Sequence, residues 1–395
     1  MKLKYLLLGF SFCMIVFLSC KDETIKLEPK DGVAPGPVTN VTWDSIPGGA
    51  VFRYVLPDDE DLLYVKAIFY RGDGVRCESS ATIYSDSLKI EGFGDTKPKE
   101  VQLIAVDRSE NGSEPVKQTI TPGVPDIFYI GQSLDVRADF GGVHAFWENK
   151  TKQDISVVLL IKDNNDEFVP LDTYYSSLVN GDGLYIGMDT IPVDCAVFAQ
   201  DRWGNTSETK YYPELTPLYE TLFDRNLFSA LHLASDGPDY PNGWRLEEAF
   251  NGVKANNSGY SSAGGTGKWP QWVTIDMGIT AKISRLRLYQ RMDGYTFSEG
   301  NLKIFEVYGY EDTGATPQDA WDNWKLLMKC ESIKPSGLPI GQNTVEDEAR
   351  ARNGEDFYNS ADNPAVRYIR IKVLRTWGSG DNFQINEIEI FGDNR

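Results

Sequence analysis

The first half of the chain repeats itself at the interval of a whole domain. Gly48-Gly49-Ala50-Val51 has a counterpart in Gly141-Gly142-Val143, and Asp61-Leu62 in Asp154-Ile155, both 93 positions downstream. Ala105-Val106-Asp107-Arg108 through Asn111-Gly112-Ser113-Glu114 returns as Ala199-Gln200-Asp201-Arg202 through Asn205-Thr206-Ser207-Glu208, 94 positions on at the aspartate. Such a period exceeds any solenoid unit and is long enough for a complete domain. Each copy carries β-rich runs: Leu62–Tyr70 with Val101–Val106, then Ile155–Ile161 with Cys195–Ala199. Turn residues punctuate the runs and no long amphipathic helix intervenes, which predicts two antiparallel β-sandwiches of about 90 residues. The repeated Asp and Asn are expected to close a turn through their own side chains.

The rest of the chain is large enough for a further domain, since 395 residues accommodate two to four. With 39 Lys+Arg against 58 Asp+Glu, the net charge of −19 excludes a nucleic-acid binder, which needs a basic face. Two His and five scattered Cys argue against a multi-ligand zinc or haem site, and Cys77, Cys195 and Cys330 are expected as free thiols. Tryptophan is distributed unevenly: six of nine lie from Trp244 onward. That skew locates the search for function.

The first residues form an address. Lys2 and Lys4 precede an apolar stretch, Tyr5 to Leu18, too short to span a bilayer but suited to a signal-peptide core. Phe17-Leu18-Ser19-Cys20 resembles a bacterial lipobox, implying cleavage after residue 19 and lipidation of Cys20. Lys21-Asp22-Glu23 resembles the acidic export tag of Bacteroidetes surface lipoproteins. Residues 20–34, with Pro29, read as a flexible stalk. The two repeats, at 35–123 and 124–213, resemble fibronectin type III modules, and residues 214–227 read as a connector.

Beyond the connector, period-two alternation is clearest. Ile369, Ile371 and Val373 alternate with Arg370 and Lys372, while Val273, Ile275 and Met277 alternate with Thr274 and Asp276. Several such runs indicate a β-sandwich. Gly243-Trp244 with Ala249-Phe250-Asn251-Gly252, then Gln271-Trp272-Val273-Thr274-Ile275-Asp276-Met277-Gly278, resembles the discoidin, or coagulation factor 5/8 type C, family. Ile283-Ser284-Arg285-Leu286-Arg287-Leu288, Arg367-Tyr368-Ile369-Arg370-Ile371 and Ile388-Glu389-Ile390-Phe391-Gly392 continue the resemblance over about residues 228–395. It implies an eight-stranded jelly roll whose loops at one end hold a ligand. The fold class expected is therefore all-β: two tandem fibronectin-like sandwiches followed by a discoidin-like jelly roll.

Bacterial relatives of that family are mostly carbohydrate-binding modules, and the residue types agree. Sugars offer C–H faces to aromatic rings and hydroxyl rims to planar polar groups. Candidate ligand-binding residues are Trp377 in its Gly-rich loop, Trp244, Trp269 and Phe383, together with Arg291, which matches a sugar-binding position of the family. Tyr295, Phe297 and Asn301 follow Arg291 in a loop. A plain surface arginine with loop anchors competes with that reading. Trp272 is assigned to packing, and Trp321 and Trp324, spaced i, i+3, can anchor a short helical turn. The family often ties its first loop to its last strand with Ca²⁺; here Asn251, Asn256, Ser258 and Glu387 are the oxygen ligands on offer. The usual Asp is Asn251, however, and Val253 and Lys254 supply no carboxylate, so a metal-free loop stands beside the metal-bound one.

No catalytic signature appears. Gly264-Gly265-Thr266-Gly267-Lys268 fails the phosphate-loop pattern at Ser262 and Trp269, and His144 and His232 belong to no Ser/His/Asp motif. The sequence thus predicts a non-catalytic outer-membrane lipoprotein, exposed at the cell surface and requiring no cofactor. Its expected partners are a polysaccharide or oligosaccharide, the membrane through a lipid anchor, and neighbouring surface proteins. A protein-interaction or adhesion module at the cell surface is the alternative, and a polysaccharide-active enzyme is the third reading.

Overall fold

The computed structural model describes residues 32–395 except 86, 242, 255–257, 265–268, 293, 312, 313 and 315. The expected signal segment, Cys20, most of the stalk and Asn256 lie outside the described residues. The described chain is all-β. Among the described residues no helix is long and apolar enough to cross a membrane.

The chain divides into two compact units, the first comprising residues up to Gln132 with Gln153–Ile155 and Ala199–Glu208. Its strands are β1 (Thr39–Ile46), β2 (Gly49–Val55), β3 (Leu62–Tyr70), β4 (Arg76–Thr82), β5 (Ser87–Glu91), β6 (Lys99–Asp107) and β7 (Val116–Ile120). They form two sheets, β1-β2-β5 and β4-β3-β6-β7. Along β3, Leu62, Val65, Ala67 and Phe69 turn inward and register against β6 through Val65↔Ala105 and Ala67↔Leu103. Phe52, Leu88 and Ile90 close the core from the other sheet.

The second copy uses β8 (Asp135–Asp139), β9 (Gly142–Glu148), β10 (Ile155–Lys162), β11 (Phe168–Ser176), β12 (Asn180–Ile186), β13 (Val193–Asp201) and β14 (Lys210–Leu215). Its sheets, β12-β9-β8 and β11-β10-β13-β14, repeat the first copy's order. The repeated motif has one physical role. Asp107 Oδ1 accepts from the backbone N–H of Ser109 (2.7 Å) and Asn111 (2.9 Å), and Oδ2 from Asn111 Nδ2 (2.8 Å). Asp201 does the same with Trp203, Asn205 and Asn205 Nδ2, each at 2.9 Å. Both carboxylates are buried and spent on the turn.

The second unit holds the remainder, including everything from Thr209. Its last sandwich comprises β15 (Thr221–Leu222), β16 (Ser229–Ala230), β17 (Tyr260–Ser261), β18 (Gln271–Tyr289), β19 (Leu302–Tyr310), β20 (Lys325–Glu331), β21 (Glu355–Tyr358), β22 (Val366–Thr376), β23 (Gln384–Ile385) and β24 (Glu387–Asp393). The two sequence runs 271–278 and 283–288 belong to one strand, β18, which turns the corner between layers. Its first part pairs with β22 (Val273↔Ile371, Ile275↔Ile369) and its last part with β24 (Leu288↔Ile388). Gly278 makes the corner possible. Its φ is +69°, and a Cβ there would sit 2.4 Å from the Leu227 carbonyl oxygen. Ile275, Phe305, Val307, Ile371, Phe383 and Ile388 fill the core.

Residues 214–227, expected as a connector, supply the edge strand β15, through Thr221↔Gly392 and Leu222↔Phe391. Glu220 takes the Arg285 guanidinium at 3.1 Å on both of its oxygens. Three tryptophans build a second aromatic cluster. Trp321 begins a short 3₁₀ turn and its carbonyl accepts from Trp324 N–H, as the i, i+3 spacing predicts. The fully buried Arg370 guanidinium lies 4.8 Å and 4.4 Å from their ring centres, and Trp272 stacks edge-on against Trp321 at 5.2 Å. These three of the six C-terminal tryptophans therefore serve packing.

Candidate functional site

β18 ends at Tyr289 and the chain enters a loop that Asn301 fixes from beneath. Asn301 is fully buried. Its Oδ1 accepts from Arg291 N–H (2.9 Å), and its Nδ2 donates to the carbonyls of Arg291 (3.0 Å) and Tyr295 (2.8 Å). Three bonds from one amide set the loop's shape and aim the Arg291 side chain outward. Its guanidinium carbon lies 3.8 Å from the Tyr295 ring centre and 5.1 Å from that of Trp244, a cation held between two aromatic rings.

Trp244 reaches this position at a conformational cost. Its φ is +63°, left-handed backbone that a bulky residue rarely adopts, following Gly243 at +109°. Its carbonyl accepts from Ser261 N–H at 3.1 Å, which ties the strained turn to β17. Tyr240, Trp244, Ser261, Arg291, Asn382 and Gln384 line a hollow of about 300 Å³. The arrangement offers aromatic faces, one fixed cation, two amides and a hydroxyl. That is the chemistry of a polyhydroxylated ligand.

The structure separates the candidates. Arg291, Trp244 and Tyr295 come together. Phe297, Asn301 and Phe383 are fully buried, which corrects their assignment as ligand contacts: Asn301 and Phe297 support the loop, and Phe383 belongs to the core. Trp269 is partly buried and packs against the same core. Trp377 lines a different hollow of about 360 Å³, with Lys303, Ile333, Leu338 and Ile340 among its walls. Its indole N–H donates to Ser332 Oγ (3.2 Å), Phe297 meets it edge-on at 5.1 Å, and the Lys303 ammonium lies 4.0 Å from the ring centre. Beneath lies a buried polar network in which Glu355 Oε1 accepts from Ser332 Oγ (2.8 Å) and Gln290 Nε2 (2.7 Å). Burial pushes the Glu355 carboxyl up against the opposing pull of those bonds.

Sequence reasoning missed Tyr240, Ser261, Asn382 and Gln384. The one available signal was adjacency: Tyr240 lies four residues before Trp244, and Asn382 and Gln384 flank Phe383.

The described part of the expected calcium loop does not fit the ion. Asn251 donates its Nδ2 to Glu248 (2.6 Å) and Ser258 (2.8 Å), and its Oδ1 accepts from Val253 N–H (2.7 Å). Glu387 Oε2 accepts from Gly252 N–H at 3.0 Å. The Arg225 guanidinium lies so close to Gly252 that a Cβ there would come within 2.4 Å of its Cζ. Lys254 Nζ binds Glu389 at 2.7 Å. Asn251 and Glu387 each spend an oxygen on a backbone N–H, and the Arg225 and Lys254 cations stand close to the same loop.

Three family models match the chain, each described as a domain of unknown function: DUF4959 over residues 35–122, DUF5126 over 123–226 and DUF5000 over 247–392. No curated protein matches. Among solved structures, a SusE-like protein is 32% identical over 69% of this chain and 100% of its own, with a TM-score of 0.46. The F5/8 type C domain of a Bacteroides fragilis protein is 14% identical over 45% of this chain and 98% of its own, with a TM-score of 0.31. A CBM32 module from a GH31 protein, solved bound to GalNAc, is 14% identical over 41% and 95%, with a TM-score of 0.28.

Proposed function

Because the chain belongs to the SusE-like proteins, 32% identical over the whole of that relative, we propose that it is a non-catalytic glycan-binding lipoprotein of the bacterial cell surface. Cys20 carries the lipid, the two sandwiches act as spacers, and the jelly roll captures polysaccharide for neighbouring uptake or degradation machinery. The observation that supports this reading is the Arg291 guanidinium held between Trp244 and Tyr295 on an open hollow. Stacked rings bind the C–H face of a sugar while the planar cation takes its hydroxyls or acidic groups.

The test is a glycan array probed with the chain from Cys20 onward. Retention on a defined set of polysaccharides is expected, and a blank array sinks the reading. A second reading, docking of a partner protein, draws on the exposed Ile333, Leu338 and Ile340 beside Trp377. Co-purification of a membrane partner that survives competing sugars would favour it.

A further inference from the structure

The lining of the Arg291 hollow is unusual for this chain. Acidic residues outnumber basic ones 58 to 39, yet no described carboxylate lines the hollow. Three other arginines of the same sandwich are matched with carboxylates: Arg285 with Glu220 and Asp356, Arg287 with Asp356, Arg367 with Asp276. Arg291 has ring faces in place of an acid. Its Nε is buried and has no hydrogen-bond acceptor, and Gln384 Oε1 in the same lining is buried without a donor. A half-buried guanidinium stacked on π faces keeps its charge and loses part of its hydration, so an incoming anion gains more here than at an open surface. The planar fork also matches the paired oxygens of a carboxylate or sulfate.

We infer that the sugar unit held in this hollow carries an anionic group, a carboxylate or a sulfate, so that the chain takes an acidic polysaccharide. This rests on the glycan-binding reading above and narrows it. Arg291 supplies the ionic contact, Trp244 and Tyr295 fix the guanidinium plane, and Asn382 and Gln384 remain for ring hydroxyls.

Affinity electrophoresis of the chain from Cys20 onward tests the inference with two matched pairs, polygalacturonate against its carboxyl-reduced form and dextran sulfate against dextran. Binding to the anionic member of one pair is expected to be at least about tenfold tighter, and the pair that responds identifies carboxylate or sulfate. Arg291→Gln should remove that preference, and Arg291→Lys, which keeps the charge without the fork, should restore part of it. Melting temperatures of both variants establish that they fold. Equal retention by both members of each pair overturns the charge inference while leaving glycan binding intact. Failure to bind these polymers and every neutral glycan of a broad panel removes both.

Discussion

Arg291 and Trp244 are held in place by residues that never meet solvent, so the site's precision depends on buried polar groups. Asn301 is the clearest case. Asn301→Ala deletes three hydrogen bonds and leaves the Arg291 and Tyr295 carbonyls and one N–H without their partner, a cost of about 2–3 kcal/mol. Urea unfolding should show that loss, and glycan affinity should fall with it because the guanidinium loses its aim. The family resemblance offered Arg291, and residue type and loop context offered Trp244 and Tyr295, as candidates that the structure brings together. These signals could not place Phe297 or Phe383, because an aromatic ring beside glycine or asparagine reads the same whether it points out or in. Trp377 illustrates the limit: its Gly-rich loop suggested exposure, but Phe297 and Lys303 occupy much of the ring.

His144 offers an independent check at the same scale. Burial favours its neutral form, but hydrogen bonds to Asp139 and Asp182, both at 2.9 Å, outweigh that and raise its pKa above the usual 6.5. A histidine whose folded pKa is raised contributes stability that is complete below the unfolded value. That stability is lost as pH rises through the folded value. In a His232→Gln variant one histidine remains, and its ring proton resonance should titrate above 6.5. Asp182→Asn should lower that midpoint and flatten the fall in melting temperature above pH 6.5. A midpoint at or below 6.5 contradicts the clamp.

At the scale of elements, the repeat and the alternation carried most of the information. Asp107 and Asp201 close matching turns because identical local sequences meet identical hydrogen-bonding needs. The sheet corner within β18 was not legible, since two apolar runs separated by Gly278 read equally well as two strands. Only the approach of Leu227 shows why the chain must bend there. Gly278→Ala places a Cβ against a backbone carbonyl at positive φ and should cost about 1–3 kcal/mol or more, seen as a lower urea midpoint with unchanged slope. The edge strand within residues 214–227 was not legible for a similar reason. Its pairing with β24 is a contact across most of the last domain, and nothing local announces it.

For the whole molecule, two sandwiches precede a jelly roll whose Arg291 guanidinium sits against Trp244 and Tyr295, an arrangement that suits the proposed binder. The tryptophan excess divides among a packing cluster around Arg370, the main core, against which Trp269 packs, and the two hollows lined by Trp244 and Trp377. The central claim is that the Arg291 hollow is where glycan binds. Its most direct test is affinity electrophoresis of the chain from Cys20 onward beside its Trp244→Ala variant, in gels containing a polysaccharide retained on the array. Removing one stacking face should weaken retention at least about tenfold with the melting temperature little changed. Equal retention of the two proteins would place the binding surface elsewhere and contradict the account.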